Sequence, residues 1–161
     1  MENQISNMQK YDNYREIFGK LKRAMASEFY YEAIFLEYSI MEDRTESILK
    51  YAEKWDAYLK KHRRGNPERE PTMESKIKYI KGQIESGNKL LNKYFGDDLL
   101  DRIIVWKEDR NTLIHALLNQ QLNNEAVAEI ALTGEKLTKE LRNKSTNFNR
   151  AVERKNKSIK G

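Results

Sequence analysis

The apolar positions along the chain recur at steps of three, four and seven, the spacing that places side chains on one face of an α-helix. A first helix is expected over about 11–25, with Tyr14, Ile17, Phe18, Leu21 and Met25 inward and Gly19 a mild weakness. A second is expected to start behind Ser27, an N-cap residue type, and to run to about residue 61 through Tyr30, Ile34, Tyr38, Met41, Ile48, Ala52, Trp55 and Leu59. No Pro or Gly interrupts it, so it reads as a bundle spine or a kinked rod. Residues 62–71 hold Gly65, Asn66 and Pro67 and read as a loop. A third helix follows from about Thr72, with Ile77, Ile80, Ile84, Leu90, Leu91 and Phe95 inward. Gly96, Asp97 and Asp98 end it and start a fourth over about 97–119, built on Leu99, Leu100, Ile103, Ile104, Trp106, Leu113, Ile114, Leu117 and Leu118. Asn123 and Asn124 make a break. A fifth helix then carries Val127, Ile130, Ala131, Leu137 and Leu141 into the C-terminal end, with Gly134 as a soft point.

These elements predict an all-α protein, an antiparallel bundle of about five helices, in one domain over residues 1–161. Residues 1–10 and the C-terminal end are expected to be loose. A chain of 161 residues supports one hydrophobic core. Seven glycines and two prolines leave little punctuation for many short strands. The absence of cysteine excludes disulfides, thiol nucleophiles and thiolate metal sites. No basic and apolar leader opens the chain, and no apolar run reaches the ~20 residues a membrane span needs. A cytoplasmic protein with no membrane partner is therefore expected. The net charge of +5 is uneven: residues 135–161 carry nine Lys/Arg against three Glu. That basic end favours an anionic partner such as nucleic acid, or else is a solvated, fraying helix terminus.

One segment departs from the apolar pattern. Ile103, Arg110 and Leu117 are spaced by two helical turns and share a stripe. Arg110 thus occupies a position where the period asks for an apolar residue, and a buried Arg needs a carboxylate, a polar cavity or an interface. Asn111 and His115, four apart, share a face, but Arg110 lies about 140° from His115 around the helix. A single straight helix does not bring Arg110 and His115 together. A swing of the long Arg side chain does so, or a second copy of the helix across a two-fold axis.

Arg110-Asn111-Thr112-Leu113-Ile114-His115 resembles the R-N-x-x-x-H signature of the HEPN superfamily, small helical bundles in which the motif lies late in the chain. The resemblance implies a metal-independent endoribonuclease with no cofactor, acting as a toxin or antiphage defence effector, with its active site at a homodimer interface. It implies Arg110 and His115 as catalytic residues, and products with a 2′,3′-cyclic phosphate and a 5′-hydroxyl. The residue types suit that chemistry. Histidine exchanges protons near neutral pH, and the planar fork of arginine stabilises charge on phosphoryl oxygens. Asn111 is expected to orient His115 or the phosphate.

Acidic residues on an early helix approach the Arg in some HEPN proteins, which makes Glu42 and Asp43 supporting candidates beside Arg44. Glu37 faces closer to the apolar stripe and is an equally physical partner for Arg110. The alternative for the whole segment is a satisfied core histidine and a salt-bridged arginine, in a non-catalytic module that binds RNA or protein. A toxin reading also implies a cognate antitoxin or regulatory protein. His62 reads as a solvated loop residue. A di-iron bundle is excluded by the residues three before each histidine, Leu59 and Thr112, which are not Glu.

Overall fold

The computed structural model describes residues 7–117, 119 and 123–160. The described residues are all-helical, with seven helices in the order α1 (Asn7–Ala26), α2 (Tyr30–Tyr51), α3 (Trp55–His62), α4 (Met73–Glu85), α5 (Lys89–Phe95), α6 (Leu99–Ala116) and α7 (Asn124–Lys160). The expected count of five is corrected to seven by two breaks. The long second helix divides at residues 52–54, and the third divides at residues 86–88.

Both breaks are left-handed C-terminal turns. At the end of α2, Glu53 adopts φ 56° and the Lys54 N–H donates to Leu49 O at 2.9 Å, which satisfies a terminal carbonyl. The same turn ends α1 at Glu28 (φ 59°) and α4 at Gly87 (φ 94°). Ser27 therefore belongs to the end of α1. The N-cap of α2 is Phe29, which makes no side-chain capping bond. Starts elsewhere follow side-chain chemistry. Thr72 and Ser75 form a reciprocal capping box on α4, and Asn88 Oδ1 accepts from Leu91 N–H at 3.0 Å to open α5.

The expected loose ends are mostly helix. Residues 7–10 are helical, while the remainder of that expectation lies outside the described residues. At the other end, α7 continues as helix to Lys160, with residues 153–159 exposed. The fourth helix stops at Ala116, with Ile114 and Leu117 exposed; Leu118 lies outside the described residues.

The 37 residues of α7 span roughly 55 Å and form the spine. Helices α2, α5 and α6 pack along it, α1 packs on α2, and α4 closes against α2, α5 and α6. Leu21, Ile48, Leu49, Ile77, Phe95, Ile103, Trp106, Leu141 and Phe148 are among the buried core side chains.

A close crossing lies at Gly134, the expected soft point, which is buried in unbroken helix. A methyl group there would overlap Glu37 Oε2 and sit 2.8 Å from Trp106 Cε2. The Trp106 indole N–H donates to Ile130 O at 2.9 Å, the carbonyl that the helical ladder pairs with the N–H of residue 134. Glu37 is fully buried, and neither carboxyl oxygen has a hydrogen-bond partner. Burial, reinforced by the like charge of Glu135, pushes its pKa up to about 9. It is therefore a neutral acid at pH 7.

Four outcomes test these features of the fold. Glu53→Gly relieves a left-handed residue at no loss of side-chain contact and should raise stability by about 0.5–1 kcal/mol in urea titration. Gly134→Ala should destabilise by about 1–3 kcal/mol despite the better helix propensity of Ala. Removing the carboxyl with Glu37→Ala should recover part of that loss in a double-mutant cycle. Finally, the pKa of Glu37 is about 9 folded against 4.5 unfolded. Its contribution is complete below about pH 4.5 and declines as pH rises toward 9. Wild-type stability should thus fall between pH 5 and pH 8 by up to about 4 kcal/mol, and Glu37→Gln should flatten that slope. A parallel slope in the variant would show that Glu37 does not titrate in this window.

Candidate functional site

The R-N-x-x-x-H segment occupies the last two turns of α6. Trp106, on the inner flank, ties the helix to α7. Arg110, on a neighbouring flank, turns toward α2, where its guanidinium carbon stands 4.3 Å from the centre of the Tyr38 ring, a cation–π contact. Arg110 Nη1 donates to Asn111 Oδ1 at 3.0 Å. Arg110 Nε is buried without a hydrogen-bond partner. The apolar stripe that Arg110 interrupts runs from core to solvent: Ile103 is fully buried, Arg110 half-buried and Leu117 43% exposed.

His115 lies in the final turn with its side chain exposed, and its backbone oxygen accepts from Asn119 Nδ2 at 3.3 Å. Within one chain Arg110 and His115 are not brought together, because one side chain folds onto Tyr38 and the other faces solvent. Asn111, expected to orient His115 or a phosphate, holds Arg110 instead.

None of the three acidic candidates pairs with Arg110. Glu37 is buried and neutral at the Gly134 crossing. Glu42 Oε1 accepts from Lys76 Nζ at 2.5 Å, and the same ammonium, 1% exposed, donates to Glu42 O at 3.1 Å. Asp43 lies on the flank of α2 that meets α1. There it accepts from the Tyr14 hydroxyl, from Arg44 Nη2 at 2.9 Å and pairs with Lys10 at 3.2 Å. Burial alone would raise the carboxyl pKa of Asp43, but the bonds from Tyr14 and Arg44 outweigh it and hold the pKa low.

Tyr38 is the residue the sequence reading left in the core. It is half-buried. Burial, and then the Glu42 carboxylate, push its phenol above the ordinary value against the pull of Arg110 and Lys107, so it stays a neutral donor at pH 7. Its signal was available in the sequence, since Tyr31, Phe35, Tyr38 and Glu42 follow helical spacing on one flank of α2. Close by, Lys107 bonds Glu74 and pairs with Glu108 at 2.8 Å. Hydrogen bonds from Lys107 and Lys78 lower the pKa of Glu74 to about 2.

The direction of α2 against α6 follows from these pairs. Glu42 and Lys107 both reach the start of α4, through Lys76 and Glu74, while Tyr38 and Arg110 meet about one turn away. The two helices run antiparallel here, so beyond Tyr38 and Arg110 the next positions on these flanks are Phe35 and Tyr31 on α2 and Ile114 and Leu117 on α6. All four are exposed, Phe35 at 65%. Arg110, Asn111 and His115 thus sit on an open surface edged by apolar side chains. A groove of 440 Å³ on the other flank of α6, lined by Trp106, Asp109, Leu113 and Ile130 among others, includes none of the three. His62, read as solvated, stacks on Tyr58 at 5.4 Å and its Nε2 lies 2.9 Å from Glu70 O.

No helix among the described residues is long and apolar enough to cross a membrane, and no group of three or more His, Cys, Asp or Glu among them is arranged to hold a metal ion. Compared with known proteins, the chain matches no protein-family model, no curated protein and no solved structure.

Proposed function

We propose that the chain is a metal-independent endoribonuclease of HEPN type, active as a homodimer that completes the site on the surface around Arg110 and His115. The observation that carries this reading is the state of Arg110. Its guanidinium is anchored on Tyr38 and Asn111 and lacks a carboxylate partner among the described residues, on the helix that also presents the exposed His115, and Tyr31, Phe35, Ile114 and Leu117 are exposed on the same flanks of α2 and α6. Exposed apolar side chains around a polar centre are what a second copy would cover. A two-fold axis there would place the Arg110 of one copy near the His115 of the other.

In the proposed reaction His115 takes the proton of an RNA 2′-hydroxyl. The 2′-oxygen bonds to the adjacent phosphorus, and the bond from phosphorus to the 5′-oxygen breaks. The leaving oxygen takes a proton from water, which the His115 imidazolium replaces, giving a 2′,3′-cyclic phosphate and a 5′-hydroxyl. Arg110 stabilises the charge on the non-bridging oxygens. The setting is cytoplasmic toxin or antiphage defence, under control of an antitoxin or regulatory protein.

A second reading, a non-catalytic module for RNA or protein, is favoured by the separation of Arg110 from His115 within one chain.

Cleavage of an end-labelled RNA by the purified chain separates the two. His115→Ala and Arg110→Ala should each lower the rate by about 10²-fold or more. Mixing the two inactive variants should restore about a quarter of wild-type activity, because half the dimers are mixed and each holds one intact site. Unchanged cleavage by both variants would overturn the site assignment. A mixture that stays inactive would overturn the shared site, and an inert wild-type chain would leave the binding reading.

A further inference from the structure

A cleft of 780 Å³ opens between α1, α2 and α7, on the opposite side of α2 from Arg110. Arg44, Ser47 and Tyr51 line it, whereas Tyr31, Phe35 and Tyr38 lie about 180° away around the helix. Six cations border the cleft, Lys10, Arg15, Arg44, Lys50, Arg142 and Arg150, against one carboxylate, Glu153. Some of that charge is already met. Asp43 pairs with Lys10 and Arg44, and Glu46 pairs with Lys50. Arg15, Arg142 and Arg150 have no acidic partner among the described residues. Gathered in one cleft, they form a site of positive potential that an anion would neutralise.

Aromatic rings are interleaved with the charges. Arg44 stands 4.2 Å over the Tyr14 ring and Arg142 4.5 Å over Phe18, which fixes two guanidinium groups against the cleft wall. Tyr11 and Tyr51 are exposed at 68% and 37% and leave ring surface at its border. Arg142 and Arg150 are spaced about 12 Å along α7, enough for more than one phosphate of a strand. On the floor, Asn149 Oδ1 has no hydrogen-bond partner.

We infer that this cleft binds single-stranded nucleic acid, with Arg15, Arg142 and Arg150 on successive phosphates and Tyr11 and Tyr51 stacked on unpaired bases. Cations that track a backbone, with rings that accept any base, are the two elements of such recognition. An acidic peptide would use the cations and leave the rings idle. The inference does not rest on the ribonuclease reading, since the cleft lies on the far side of α2 and contains neither Arg110 nor His115.

The test is fluorescence anisotropy of the full chain with a labelled 12-nucleotide U-rich strand carrying 2′-O-methyl groups, which block cleavage, with the same sequence as DNA in a parallel arm. Binding should weaken with salt. Arg15→Glu with Arg150→Glu should raise Kd at least tenfold and flatten the salt slope by about 1.4, the share of two phosphate contacts on a single strand. Tyr11→Ala with Tyr51→Ala should raise Kd fivefold or more at unchanged charge. A control pair of equal charge change on exposed residues outside the cleft, Lys89→Glu with Lys136→Glu, should raise it less than threefold, and circular dichroism should show unchanged helix content in every variant. Preference for the RNA-type strand would assign contacts to the sugar, and equal binding would assign the backbone and bases; both support the cleft. Absence of binding at low salt, equal losses in cleft and control pairs, or equally tight binding of an oligoglutamate of matched charge would each overturn it.

Discussion

The close approach of α7 to α2 and α6 at Gly134 sets the geometry on which the rest depends. A helix of 37 residues could slide or rotate against its neighbours if only a generic apolar face held it. Here a gap one hydrogen wide receives a carboxyl group from α2 and an indole from α6 at the same point, and the indole bonds a carbonyl of α7. Rotation of α7 would drive a side chain into that gap, and translation would strand the indole N–H. The carboxyl is tolerated because it is neutral. An ionised Glu37 without partners would cost far more than the packing returns. The fixed register of the bundle is therefore coupled to the protonation of one buried group.

That crossing also determines what Arg110 meets. With Trp106 directed at α7, the flank of α6 four residues on is directed at α2, and the nearest surface there is Tyr38. Each carboxylate that might have neutralised Arg110 is used otherwise: Glu37 is protonated in the core, Glu42 balances the buried ammonium of Lys76, and Asp43 serves Tyr14 and Arg44. A ring face holds a guanidinium without cancelling its charge, because it offers a quadrupole and not an anion. Arg110 is positioned and still electrostatically unsatisfied, a better starting point for an anionic ligand than a completed salt bridge.

Legibility in the sequence followed the type of signal. Apolar spacing located nearly all of the helical residues, including starts near Thr72 and Asn124, whereas capping chemistry misled at Ser27, which ends α1. The division of α2 from α3 was hidden because Glu53, not glycine, takes the left-handed position, and Glu carries no mark of a turn. The division of α4 from α5 was marked by Ser86, Gly87 and Asn88, and an apolar register that continues across them concealed it. For the candidate site, the stripe of Ile103, Arg110 and Leu117 correctly identified an arginine at the edge of the core. Its partner escaped because a tyrosine at helical spacing reads as core. Glu37 was correctly placed near the apolar stripe, but burial of a carboxyl next to Arg110 in sequence logic implied a pair. The structure instead separates them, one inside the bundle and one at its surface.

The basic end of the chain changes meaning for the same reason. As composition, a surplus of Lys and Arg over residues 135–161 describes a solvated tail as well as a binding segment. On a helix, however, charge is sorted by angle. Leu137, Leu141, Ser145 and Phe148 face the core of the bundle, which obliges Arg142 and Arg150 to emerge at the edges of that buried stripe. The α1–α2 wall stands along one of those edges. Part of the surplus is thereby concentrated in a walled cleft, where field strength is higher than on a convex surface, while Lys136, Lys139 and Lys144 are placed elsewhere and two of them are paired. The helical continuation of α7 thus converts a diffuse compositional bias into a localised potential, and the buried stripe fixes where it falls.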